Sequence, residues 1–128
     1  SMSINKVILT GRLGQDPELR NTTTGKAVAT FSLAVTDNYN REVTHWLNVV
    51  VWNKQAENCS AYLSKGSLVG VEGRIQTRNY ENKEGRKVYV TEVVADRVEF
   101  LDPKGKSEPA GGWDDLGHEI ETDDEAPF

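Results

Sequence analysis

The sequence predicts an all-β domain, a five-stranded barrel with one short helix between its third and fourth strands, followed by a disordered acidic C-terminal tail. Three observations carry this. Apolar residues alternate with polar ones over several runs of about ten residues, the strand period of two. One stretch alone, residues 53 to 63, changes to helical spacing. The acidity is confined to the end: residues 1 to 102 hold 13 Lys and Arg against 12 Asp and Glu, whereas residues 103 to 128 hold 2 against 8.

The 128 residues suffice for one domain with a real core, and two cores would leave each half too small. Residues 4 to 13 form a β-branched first strand that ends in a Gly- and Pro-containing loop, residues 14 to 25. In residues 27 to 36, Phe31, Leu33 and Val35 alternate with Thr30, Ser32, Ala34 and Thr36, which makes a half-buried second strand. A polar turn at residues 37 to 42 leads to a third strand, residues 43 to 52, rich in valine and tryptophan. In the helix, Ala56, Cys59, Tyr62 and Leu63 share a stripe, Asn53 is the expected N-cap and Gly66 the expected C′ residue. Residues 67 to 80 and 86 to 100 are two strands of a hairpin joined by a polar, Gly-containing connection. This order matches the five-stranded oligonucleotide-binding (OB) barrel, with an SH3-like barrel as the structural rival.

From residue 103 onward, Pro, Gly, Ser and acidic residues dominate, with too little apolar surface to offset the entropy of ordering. The expected division is a domain at 1–102, a flexible linker at 103–122 and an acidic tip at 123–128. Ser1, ahead of Met2, reads as a residue left by tag removal. The single Cys59 has no disulfide partner, no apolar run is long enough to cross a bilayer and no signal-peptide core is present. A soluble, cytoplasmic protein with no membrane partner is expected. With no cysteine/histidine cluster, and His45 and His118 in unlike contexts, no cofactor, metal site or catalytic residue is expected.

The third strand carries the chemistry. Alternation turns Leu47, Val49, Val51 and Asn53 one way, toward the core, and Trp46, Asn48, Val50, Trp52 and Lys54 the other. Two indoles thus stand on an outer face, with a lysine beyond them and Tyr39 in the preceding turn. The fourth strand repeats the pattern: Val69, Val71 and Ile75 alternate with Glu72, Arg74, Gln76, Arg78 and Tyr80. Flat rings for bases of any identity, with cations to track phosphates, are what a single strand of nucleic acid requires. A lone tryptophan more often packs in a core or an interface, and a lone arginine often pairs with a neighbouring acid. It is the coincidence of Trp46 and Trp52 with Arg74, Arg78 and Tyr80 that favours nucleic acid. Lys6, Arg12, Arg20, Lys65 and Arg86 are weaker candidates.

The chain resembles the bacterial and phage single-stranded DNA-binding protein family. The resemblance rests on five ordered blocks, residues 5 to 20, 28 to 35, 65 to 68, 71 to 78 and 90 to 93, and on the extreme C-terminus. It implies stacking by Tyr39, Trp46, Trp52 and Tyr80, and a basic groove of Lys6, Arg20, Lys54, Lys65, Arg74 and Arg78. It also implies a homotetramer that binds single-stranded DNA, associated with the nucleoid when bound. The family's acidic Pro-Phe signature falls on Asp123, Asp124, Glu125, Ala126, Pro127 and Phe128. Its implied mechanism is docking of Phe128 in an apolar pocket of a partner while its carboxylate and the preceding acids meet a basic rim. The implied partners are DNA replication, repair and recombination proteins. Rival readings are an RNA-binding barrel, which the acidic Pro-Phe terminus argues against, and a nuclease, for which no convergent carboxylate set is found. A pure interaction hub is the third.

Overall fold

A computed structural model of the chain describes residues 2–103; the tip, and the linker and disordered tail expected from the sequence apart from their first residue, lie outside the described residues. Its elements are β1 (Val7–Leu13), β2 (Glu18–Asn21), β3 (Ala27–Thr36), β4 (Thr44–Trp52), α1 (Asn53–Tyr62), β5 (Leu68–Glu81) and β6 (Lys87–Phe100). The strands run in the order β1-β5-β6-β4-β3, and β1 pairs with β3 to close the ring. All these contacts are antiparallel except β4 with β6, where Val49 and Val50 lie beside Val93 and Val94 in parallel. This closed ring, with its helix between the third and fourth barrel strands, is the OB fold that the sequence predicts.

The β2 strand is an addition to that prediction, since its residues were expected to be loop. It lies on the outer edge of β3, Glu18 opposite Thr30 and Arg20 opposite Val28. Farther along the same edge Leu33 and Ala34 take Leu13 and Arg12 of β1. One edge of β3 therefore serves two partners in succession, and β2 lengthens the sheet without entering the barrel. At the junction the chains approach so closely that a β-carbon on Gly11 would strike the Ala34 carbonyl.

The first strand begins at Val7, three residues later than the sequence suggests. Asn5 explains the difference: its side chain donates to the Ile75 carbonyl and accepts from the Ile75 N–H, at 2.9 and 2.8 Å, doing with one amide what a strand does with its backbone. The helix boundaries also differ. Trp52 occupies the N-cap without a side-chain hydrogen bond, and Asn53 is the first helical residue with φ of 61°. The chain passes from strand to helix with no linker, and Asn is among the few non-glycine residues that tolerate that left-handed conformation. Leu63 is the C-cap, so Gly66, whose φ is 92°, belongs to the next turn and donates its N–H to the Leu13 carbonyl.

The core is formed by the inward residues of the ring, including Phe31, Leu33, Val49, Val51, Val69, Val71 and Val93. Each such apolar side chain contributes roughly 1.5–3 kcal/mol on burial. Ala56, Cys59 and Leu63 bring α1 into this core, but Tyr62, expected on the same stripe, points out and is exposed. Burial pushes the Cys59 thiol up to about 11, which leaves it a small apolar group. At Asp96 β6 carries a bulge, since Glu72 faces Arg97 while Gly73 faces Ala95. Gln55 of α1 bridges it, donating to the Asp96 carbonyl and accepting from the Val98 N–H.

Candidate nucleic-acid interface

Residues opposite one another on paired strands project from the same face of a sheet. Register alone therefore assembles the outer surface of the barrel. Arg20, Val28 and Trp52 form one row, Thr30, Val50, Val94 and Arg74 a second, and Ser32 faces Asn48. Beyond them Ala34 faces Trp46, and on the hairpin Gln76, Arg78 and Tyr80 face Glu92, Val90 and Val88. The tryptophan strand and the arginine strand, separate in the sequence reading, thus contribute to one continuous face through β6, which lies between them.

The rings on that face are open. Trp46 is 62% exposed, Trp52 38% and Tyr80 48%, whereas Val49 and Val51, on the opposite face of the tryptophan strand, are fully buried. Val50, assigned to the outer face with the tryptophans, is nevertheless buried because neighbouring side chains cover it. On β5 the inward assignment of Ile75 holds only in part, for it is 40% exposed where the hairpin leaves the barrel. Tyr39 stands at the tip of the β3–β4 connection and is almost wholly exposed. That turn is built on Asp37, whose carboxylate accepts the Tyr39 and Asn40 N–H groups and meets His45 Nε2 at 2.8 Å. The His45 hydrogen bond, followed by that from Tyr39, holds the Asp37 carboxyl below its ordinary range.

Four of the six predicted cations have acidic partners. Lys6 Nζ lies 2.7 Å from Glu72, Arg74 2.9 Å from Asp96, Arg78 2.9 Å from Glu92 and Lys54 3.9 Å from Glu57. Among the described residues Arg20 and Lys65 enter no ion pair. Lys54 does not continue the row of Trp52, because the turn at Asn53 carries it into the first turn of α1. Lys65 sits in the loop after α1, its N–H bound to Asp16 Oδ1.

The Glu92 pair differs from the other three. Its carboxylate is buried, 4% exposed, and accepts Arg78 Nε and Gln76 Nε2, each at 2.9 Å, with Arg78 Nη2 at 3.4 Å. Burial by itself would raise its pKa. The hydrogen bonds from Arg78 and Gln76 and the guanidinium charge outweigh burial, and the carboxyl is held below its ordinary range. Arg78 is raised in return, chiefly by the same hydrogen bond. Arg20, Arg78, Tyr80 and Glu92 line a shallow groove of about 300 Å³ together with Gln15, Ser32 and Asn48. Gln15, Ser32 and Glu92 are absent from the sequence-derived site. Asn48 was legible, since it shares the tryptophan face, but an acid on an alternating strand gives no sign that the neighbouring strands will bury it.

Among the described residues no group of His, Cys, Asp and Glu is placed to hold a metal ion, and no helix is long and apolar enough to cross a membrane. Residues 4–101 match the model of the single-strand binding protein family. A Staphylococcus aureus (strain MRSA252) protein named "Single-stranded DNA-binding protein" is 56% identical over 109 residues, 82% of this chain and 70% of its own. A protein of the same name from Halalkalibacterium halodurans is 54% identical over 112 residues, 84% of this chain and 67% of its own. "Single-stranded DNA-binding protein 2" of S. aureus (strain COL) is 56% identical over 108 residues, 81% and 78% respectively.

Proposed function

The chain belongs to the single-strand binding protein family, and from that premise we propose that it binds and protects single-stranded DNA without sequence preference. The relatives are named as binding proteins, and the chain is a binding protein and not an enzyme. The observation that carries the proposal is the run of exposed rings, Trp46, Trp52 and Tyr80, on one face with Arg20, Arg74 and Arg78. Bases stack on the rings, each contributing roughly 1–3 kcal/mol. Arg20, and Arg74 once its exposed partner is exchanged, neutralise phosphates, and Arg78, held by Glu92, borders the rings. Tyr39 and Lys65 extend the surface at its ends, and Lys6 and Lys54 add charge once their exposed partners are exchanged for phosphate. Because every base has a flat face, such binding is tolerant of sequence.

The experiment is a titration of intrinsic tryptophan fluorescence with oligo(dT), repeated with duplex DNA. Strong quenching by the single strand alone supports the reading; no quenching at low salt would make the rings structural.

The cellular role in this proposal is replication, recombination and repair in the cytoplasm, with partners recruited through Asp123, Asp124, Glu125, Ala126, Pro127 and Phe128. A terminal aromatic preceded by acids suits an apolar pocket with a basic rim. Deleting residues 123 to 128 should preserve or improve DNA affinity and end partner recruitment; partner binding by the shortened chain would overturn the assignment. A homotetramer completes the proposal, and the mass of the full chain in solution by light scattering tests it.

A further inference from the structure

Gly14 follows β1, and its N–H donates to the Ser32 carbonyl at 2.9 Å. Its φ lies outside the left-handed region, unlike those of Gly25, Gly66 and Gly85, so no positive φ calls for glycine there. The surroundings do not. A β-carbon on Gly14 would stand 2.6 Å from Cζ3 and 3.4 Å from Cε3 of Trp46, and 2.7 Å from Ser32 Oγ. Carbon atoms rest comfortably at about 3.5–4.0 Å, so a side chain at this position must displace its neighbours.

The two neighbours differ in what they can yield. The Ser32 hydroxyl turns about one bond and is held only by a 3.4 Å contact with Gln15 Oε1. Cζ3 and Cε3 belong to a rigid bicycle, so relieving their contact requires the whole indole of Trp46 to tilt. The bare backbone of Gly14 thus supports one part of the ring while the residue keeps 62% of its surface exposed.

We propose that Gly14 is a positioning residue for single-strand binding, the missing side chain being what lets the Trp46 indole lie at the angle from which it stacks on a base. The inference rests on the reading of Trp46 as a stacking platform. Gly14 acts through the ring and touches no DNA.

The test uses the full chain and its Gly14→Ala, Trp46→Ala and doubly substituted forms. Affinity for a dye-labelled oligo(dT) of about 15 nucleotides, within the reach of one such domain, is read by anisotropy, so that the signal does not depend on tryptophan. Trp46→Ala should weaken binding on the order of five- to a hundredfold, the range that loss of one stacked base allows. Gly14→Ala should weaken it roughly three- to tenfold, a fraction of that range because the ring is tilted and not removed. Its melting temperature should change little, since the φ does not require glycine and the close contacts are to side chains, that of Trp46 largely exposed, which yield without disturbing the core. Acrylamide quenching of tryptophan should change in Gly14→Ala and show no corresponding change when Trp46 is already alanine. In that background Gly14→Ala should cost no further affinity.

Wild-type affinity in Gly14→Ala would overturn the proposal. So would a loss that persists without the indole, or one matched by a fall in melting temperature. If Trp46→Ala binds as the wild type does, the stacking assignment itself fails, and any effect of Gly14→Ala then has another cause.

Discussion

Glu92→Gln tests whether Arg78 is a free cation or a pinned one. In the folded chain Glu92 is 4% exposed and receives Arg78 and Gln76, while the Arg78 side chain is half exposed. Removing the charge turns a charge-assisted hydrogen bond, a kind that contributes roughly 1.5–3 kcal/mol, into one with a neutral acceptor. Arg78 can turn into water and the new amide still offers one oxygen, so the loss should be smaller, about 1 kcal/mol, or a melting temperature lower by roughly 4–8 °C for a domain of this size. Binding should move the other way. The freed guanidinium can neutralise a phosphate, and each neutralised phosphate on a single strand steepens the fall of log K with log salt by about 0.7. The assay is titration of oligo(dT) at several salt concentrations, alongside thermal unfolding. A variant with unchanged slope and unchanged stability would refute the pinning, as would a shallower slope. The pH dependence has a definite sign: the Glu92 carboxyl is lowered by folding, so its contribution is complete at neutral pH and disappears as acidification passes below the ordinary carboxylate range.

Trp46→Ala combined with Trp52→Ala should weaken binding to oligo(dT) without unfolding the barrel, because both rings stand outside the core; an equal loss of thermal stability would contradict this. Arg20→Ala and Lys65→Ala should each make the salt slope shallower by about 0.7, since neither has an acid to satisfy among the described residues, whereas Lys54→Ala should change it less. Asp37→Asn should be less stable than the wild type at neutral pH, by an amount that vanishes as the pH falls below the ordinary carboxylate range, because folding lowers the Asp37 carboxyl. A stability difference that stays constant from neutral pH to acid would show that the Asp37 charge contributes nothing to the turn.

Much of this architecture was legible because strand alternation is a strong local signal. It located the five barrel strands, the helix and the opposed faces of residues 43 to 52. What escaped had no local signal. Glu18–Asn21 has four exposed residues and no buried face, and it is a strand only because the edge of β3 is available to it. Asn53 has the composition of a cap, yet the abrupt passage from β4 to α1 makes use of its tolerance for a positive φ. The ion pairs were beyond reach for a different reason. Arg78 and Glu92 are 14 residues apart and Arg74 and Asp96 are 22 apart, and only the β5–β6 register, with its bulge, brings each pair together.

Those pairs change the physical account of the face. Counting cations along the chain suggests a groove held to DNA by six positive groups. On the folded surface, acids oppose four of them, in keeping with a domain that has nearly equal numbers of each sign. The three exposed pairs are worth little and can be exchanged for phosphate contacts, but the buried acceptor of Arg78 cannot be solvated in that way. On the proposed binding mode, long-range attraction for phosphate is weak and the exposed rings carry a larger share of affinity. A duplex presents the same phosphates but has its bases already stacked on one another and closed to Trp46, Trp52 and Tyr80. A strongly basic face would hold either form of DNA. In the proposed binding mode a nearly neutral face with open rings holds the single strand in preference, and the compensating acids then contribute to selectivity by limiting the attraction that both forms share.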